Sequence, residues 1–241
     1  MYKDIIMMKR LQASLQIALV ICLSFISTLS YAIAQTNGEK WYRVEVLVIE
    51  SKDKSALAEE WPLNPGKPLL TNALSIDNEP NANVSILGDK ELTLGRSKKR
   101  LQQNYRLIMH KGWRQTISDK ATAHNIHLVG GQNYAAGGIH NEVDGVIKLS
   151  TDRYMNVDAD LLFHKPMKLA PGTTVELGVA PENQGTARFE QADQNWQSDP
   201  QARLQAFRLK ESSRLKADEV HYIDHPLYGI IIVVSPEKNA V

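Results

Sequence analysis

Cysteine is almost missing from this chain of 241 residues: Cys22 is the only one. It lies inside the apolar stretch Ile17 to Ile26, so the segment beyond it can form no disulfide and offers no thiolate. Ile21 is too large for the position before a lipidated cysteine, and apolar residues continue past Cys22, so no lipid anchor is expected. An excess of charge is missing too. There is no Walker loop, no dinucleotide fingerprint, no Gly-x-Ser-x-Gly element, no internal repeat and no long low-complexity tract. These absences argue against nucleotide hydrolysis, nicotinamide chemistry and the usual serine hydrolases.

What is present at the N-terminus reads as an export signal. Lys9 and Arg10 give a positive start, Ile17 to Ile26 a short apolar core interrupted by Ser24, and Ala32-Ile33-Ala34 the small residues that signal peptidase reads. Residues 1–34 are therefore expected to be a signal peptide and residues 35–241 a single periplasmic domain beginning at Gln35. Without the leader, 25 basic residues face 26 acidic ones, which excludes the electrostatic footprint of a nucleic-acid binder.

Two loop-rich stretches divide the domain. Residues 51–90 carry Pro62, Pro65, Pro68 and Pro80, and residues 164–200 carry Pro166, Pro171, Pro181 and Pro200, with a short strand expected at 174–178. Trp61 is expected to fold back on the core. Trp41 to Glu50 reads as a central strand, with Val44, Val46 and Val48 on one face and Leu47 and Ile49 on the other. Leu101, Tyr105, Ile108 and Gly112 recur at steps of four, three and four, which predicts a helix over 93–116. Gly130-Gly131 to Gly137-Gly138 reads as a loop, and Val143 to Ser150 and Arg153 to Phe163 predict a hairpin around a two-residue turn, Thr151-Asp152. Its second strand points Met155, Val157, Ala159, Leu161 and Phe163 inward, and Tyr154, Asn156, Asp158 and Asp160 outward. Strands at 204–215, 219–224 and 228–234 complete the expected fold class: α+β, an antiparallel β-sheet with one long packed helix and two loop-rich insertions.

The densest polar stretch is Glu219-Val220-His221-Tyr222-Ile223-Asp224-His225-Pro226-Leu227-Tyr228-Gly229. Asp224 and His225 are expected to order the turn before the buried strand Ile230 to Val234. A zinc site built on His221, His225, His124 and His127 is the enzymatic alternative. Against it, His221 and His225 stand about 13 Å apart in an extended strand, and the zinc-hydrolase motif His-x-x-Glu-His belongs on a helix. Two Ser-x-x-Lys matches, at Ser51 and Ser213, lack the companion motifs of penicillin-binding enzymes. No metal and no cofactor is expected.

With Ser213-Arg214-Leu215-Lys216 just upstream, that stretch resembles the C-terminal signature of the CsiV family of periplasmic peptidoglycan-binding proteins, in which paired arginines and a turn precede Glu-Leu-His-Tyr-Leu-Asp-His-Pro. Arg214 stands alone where the pair is found. Leu101, Tyr105, Leu107, His110, Trp113 and Gln115, and Tyr154, Asp158 and Asp160, resemble two further stretches of that family, with Asn156 in place of a histidine. The resemblance implies a non-catalytic protein that binds peptidoglycan and supports a class A penicillin-binding protein and its outer-membrane lipoprotein activator. A periplasmic adaptor with no wall affinity is the other alternative. The outward ladder and the signature together give the expected ligand-binding set, Tyr154, Asp158, Asp160, Arg214, His221, Tyr222, Asp224 and His225, with Tyr154, Asp158 and Asp160 lining one shallow site and Arg214, His221 and Asp224 near it.

Overall fold

A computed structural model describes residues 40–77, 83–136, 138–173 and 185–237. The expected leader and the strand expected at 174–178 lie outside the described residues. Within them strands are the main element and helix is scarce.

Strand β1 (Trp41–Ser51) lies inside the first sheet. The short β2 (Trp61–Pro62), β3 (Leu74–Ser75) and β4 (Val84–Ile86) follow in the first proline-rich stretch, and helix α1 (Gly95–Leu101) precedes β5 (Tyr105–Thr116). Then come β6 (Asn125–Ala135), β7 (Ile139–Thr151), β8 (Met155–Leu169), β9 (Thr186–Ala187), β10 (Phe189–Gln191), β11 (Ala202–Leu215), β12 (Val220–Asp224) and β13 (Tyr228–Pro236). Sheet I has the order β12-β13-β1-β5-β4, and sheet II is built on β8, β7, β6 and β3. In sheet II, β11 runs along one edge of β8; β7 pairs β8 from Met155 to Phe163 and β10 pairs it from Met167 to Leu169.

The sheets pack through one core. Val44, Val46, Val48, Trp113, Ile230 and Ile232 from sheet I meet Ile126, Leu128, Ile147, Leu161, Phe163 and Phe207 from sheet II. Each such side chain contributes about 1.5–3 kcal/mol on burial. Trp61 plugs this core as expected: its ring meets Phe207 edge-on at 5.3 Å, and its Nε1 donates to the Ala56 carbonyl at 2.9 Å.

The expected α+β class with one long packed helix is overturned. Only Gly95–Leu101 is α-helical among the described residues, and the remainder of the expected helix is β5. The cause is a β-bulge. Val48 faces Met109 and Ile49 faces Leu107, so Ile108 is an extra residue in β5. Before it, Tyr105 and Leu107 pack on the outer face of sheet I with Leu47, Ile49 and Ile231; after it, Met109 and Trp113 point into the core. An alternating pattern that changes phase once imitates steps of four and three. The helix is short, yet it has a buried anchor. Glu45 accepts bonds at 2.7 Å from the Thr93 and Leu94 N–H groups before α1, and His110 lies at 2.6 Å. Burial works against that carboxylate's charge, but these bonds outweigh it and bring its pKa down to about 2.

Three smaller expectations change. The β7–β8 turn has three residues, Asp152 to Tyr154, because Thr151 pairs with Met155. The glycine-rich stretch 130–138, expected as a loop, is largely strand: β6 runs to Ala135, its register with β7 shifting between Gly130 and Asn133. The second insertion starts late, since β8 continues to Leu169 through Pro166. Proline is tolerated there because β7 pairing has ended at Phe163 and no ladder donor is required on that side.

Candidate functional site

Three groups of side chains qualify, and the first is the outer face of sheet II. Val157, Ala159, Leu161 and Phe163 are drawn into the core, so Asn156, Asp158 and Asp160 face outward, as expected. On β11, Arg214 stands opposite Asn156, Ser212 opposite Asp158 and Lys210 opposite Asp160. Tyr154 belongs to the turn, is 43% exposed, and lies under the Arg214 guanidinium at 3.9 Å. Ser212 donates to Asp158, and Lys120 stands 3.5 Å from the same carboxylate. A groove of about 490 Å³ crosses this face, lined by Lys120, Lys148, Asp158, Asp160 and Lys210. Asp160 is already engaged: Arg208 holds both its oxygens at 2.7 Å and donates to the Pro65 and Lys67 carbonyls at 3.1 Å. It fastens the first proline-rich stretch to the sheet.

The second group is the C-terminal signature, which the fold splits. Ile223 of β12 points into the core, so Tyr222 and Asp224 face outward from sheet I, with the Tyr222 hydroxyl donating to Asp224 at 2.9 Å. Burial and the Asp224 charge both push the Tyr222 phenol up. The Tyr222 ring fills the space over Gly229, where a Cβ would meet its Cζ at 2.8 Å. His221 accepts a bond from the Lys216 N–H at 2.9 Å, in the turn that carries the chain from sheet II to sheet I. His225 is half-buried against the core, its ring 5.2 Å from that of Trp61 and 6.2 Å from that of Phe163. Its Nδ1 accepts the Leu227 N–H at 3.2 Å, so the histidine orders the turn, whereas Asp224 takes a hydroxyl and not a turn amide. Burial brings the imidazole down to about 4, against the pull of Asp224. The eight expected residues therefore do not form one site: Tyr154, Asp158, Asp160 and Arg214 come together on sheet II, and Tyr222 and Asp224 stand on the outer face of the other sheet.

Nor do the histidines converge. His127 pairs with Asp144 at 2.7 Å, and no group of three or more His, Cys, Asp or Glu side chains is placed to hold a metal ion among the described residues.

The third group was not anticipated. Glu50 ends β1 with Arg106 of β5 on one side and Tyr228 of β13 on the other, at the end of the space between the sheets. Lys165 of β8 bonds the Glu50 carboxylate, with Lys54 at 2.6 Å and Arg106 Nε at 2.6 Å; the other Arg106 nitrogens hold Glu142 of β7. Burial opposes the charge on Glu50, but Lys165, Lys54 and Arg106 outweigh it and bring its pKa down to about 2. The available signal was a glutamate closing an otherwise apolar strand. Its partners lie far off in sequence, so no local motif names them.

The family model described as "Peptidoglycan-binding protein, CsiV" matches residues 14–237, nearly the whole chain, and the chain belongs to that family. No curated protein and no solved structure matches it. Peptidoglycan lies outside the cytoplasm, so membership implies an extracytoplasmic location. No helix among the described residues is long and apolar enough to cross a membrane.

Proposed function

We propose that this chain is a non-catalytic periplasmic protein that binds peptidoglycan and supports wall synthesis by a class A penicillin-binding protein and its lipoprotein activator. Family membership over residues 14–237 is the observation that carries the reading. The outer face of sheet II supplies a surface of the right chemistry. Tyr154 offers a ring for a sugar to stack on, Asn156 and Asp158 offer acceptors and donors to hydroxyls, and Arg214 holds the ring in place. Asp160 keeps the groove wall fixed through Arg208, and His221 and His225 fix the turns of the signature.

Cosedimentation of purified protein with sacculi tests this. Wild type is expected in the pellet with no soluble fragments released. Tyr154→Ala with Asp158→Ala should lower affinity about tenfold, since losing one charge-assisted bond of about 1.5–3 kcal/mol corresponds to at least that factor. Release of muropeptides that a chelator stops would replace binding with zinc hydrolysis. Failure of wild type to pellet, with capture of the synthase intact, would leave an adaptor without wall affinity.

A further inference from the structure

The Glu50 network has the make-up of a binding cleft. A cavity of about 590 Å³ opens at this end of the sandwich, lined by Glu50, Lys54, Tyr105, Arg106 and Lys165. A second, of about 390 Å³, is lined by Arg106, Lys165, Tyr134, Gln191 and Trp196. They share Arg106, Lys165 and Gln191, so they form one trough. Charge is layered across it. The Glu50 and Glu142 side chains are 4% and 0% exposed, whereas those of Lys54 and Arg106 are 36% and 40% exposed. The acids lie at the floor and the cations reach the mouth. Asp193, at the rim of the second cavity, is 88% exposed and lies 3.5 Å from Lys168, which Asp199 holds at 2.6 Å. Four cations, Lys52, Lys54, Arg106 and Lys165, thus meet three carboxylates, Glu50, Glu142 and Asp193, leaving one positive charge for an anion from outside.

Two further observations point to a ligand. Tyr134 and Trp196, both half-buried, meet edge-on at 6.3 Å and give the trough an aromatic wall. Tyr228, opposite Glu50 on β13 and 1% exposed, has a hydroxyl with no hydrogen-bond partner among the described residues. A buried polar group left unpaired costs free energy, and an ion network filling a space that apolar residues could fill is weak evidence for stability. Both features fit a site shaped for an occupant.

We infer that this trough binds a carboxylate of the peptidoglycan stem peptide, with Arg106, Lys165 and Lys54 holding the charge and the Tyr134–Trp196 wall packing beside it. The inference rests on the peptidoglycan reading and assigns the peptide portion of the polymer to the sandwich end, leaving the sugar portion to the sheet II face. A stem peptide suits the trough because it carries free carboxylates along a short extended chain, whereas the glycan's hydroxyls bear no charge to offset the extra cation.

Calorimetric titration tests it with two probes: a synthetic stem tetrapeptide with free carboxylates, and the same peptide fully amidated. The free acid is expected to bind wild type, the amidated form at least tenfold more weakly. Lys54→Gln and Trp196→Ala, both at the rim, should each weaken the free acid about tenfold, while Val220→Ala, on the exposed face of β12, leaves it unchanged. If wild type pellets with sacculi but the two peptides bind alike, or neither binds, or both rim variants bind like wild type, the trough is not the site. If wild type does not pellet with sacculi at all, the peptidoglycan reading itself fails and the assignment goes with it.

Discussion

Lowering the pH should destabilise this fold in a window set by His225. The ring is packed among Trp61, Phe163 and Tyr228, and its Nδ1 accepts the Leu227 N–H, a role that a protonated nitrogen cannot play. Its pKa is lowered from 6.5 to about 4 by burial. A base with a depressed pKa stays neutral in the folded state while the unfolded chain takes up a proton, so stability falls as pH drops between those two values and levels off below the lower one. The slope is about 1.4 kcal/mol per pH unit, and the loss from pH 7 to pH 4.5 comes to about 2 kcal/mol. Glu45 and Glu50, both held at about 2, work in another range: their stabilisation is complete above the ordinary carboxylate pKa and is lost only as pH falls from there toward 2. His164, also lowered by burial, acts in the same direction as His225 but cancels when wild type is compared with a variant at position 225. The variant is His225→Phe, which keeps a ring in the cluster and removes the titrating group. It should lose about 1–3 kcal/mol at neutral pH, because the Leu227 N–H loses its acceptor. Urea unfolding of both proteins across that pH range decides the matter: the gap between them should narrow by about 2 kcal/mol. Parallel curves would refute the assignment of this proton to His225.

Other positions give independent tests. Gly145→Ala should cost about 2–4 kcal/mol in chemical denaturation, because the new Cβ would run into the Asp160 carbonyl and the Leu161 Cα of the neighbouring strand, which cannot turn aside as a flexible side chain can. Asp160→Ala frees Arg208 from its carboxylate; proteolysis near residues 62–70 should accelerate while sacculus binding persists, and loss of binding in the folded variant would move Asp160 into the ligand site. Glu45→Gln weakens the anchor before α1, and it should both lower the melting temperature and flatten the acid limb between about pH 4.5 and pH 2.

The strands were legible wherever apolar and polar residues alternate without interruption, as in β8 and in the doubly buried β1. β5 was not, because one bulged residue moved its pattern out of phase. The sheet II face was readable from Tyr154 to Asp160, since a strand's outward residues follow directly from its inward ones. Joining that face to Tyr222 and Asp224 failed for a topological reason. The turn at Lys216 to Glu219 hands the chain from one sheet to the other, and neighbours in sequence become residents of different surfaces. The trough is the reverse case. Glu50, Arg106, Glu142 and Lys165 come from four strands, and only the pairing of β1 with β5 and the packing of the sheets assembles them.

The extra residue at Ile108 sets which way Arg106 points. Counting back from Met109 in unbroken alternation would place Leu107 inside and Arg106 outside; the bulge exchanges them, so that Leu107 covers the outer cluster and Arg106 meets Glu50. Removing Ile108 alone would leave Val48 facing Met109, Ile49 facing Leu107 and Glu50 facing Arg106 in regular alternation, so the guanidinium would keep its place. The network is thus held by register with β1 and not by spacing from Met109: at this one point β5 can shed a residue and keep the trough, whereas anywhere else in the strand such a loss would turn inward residues outward.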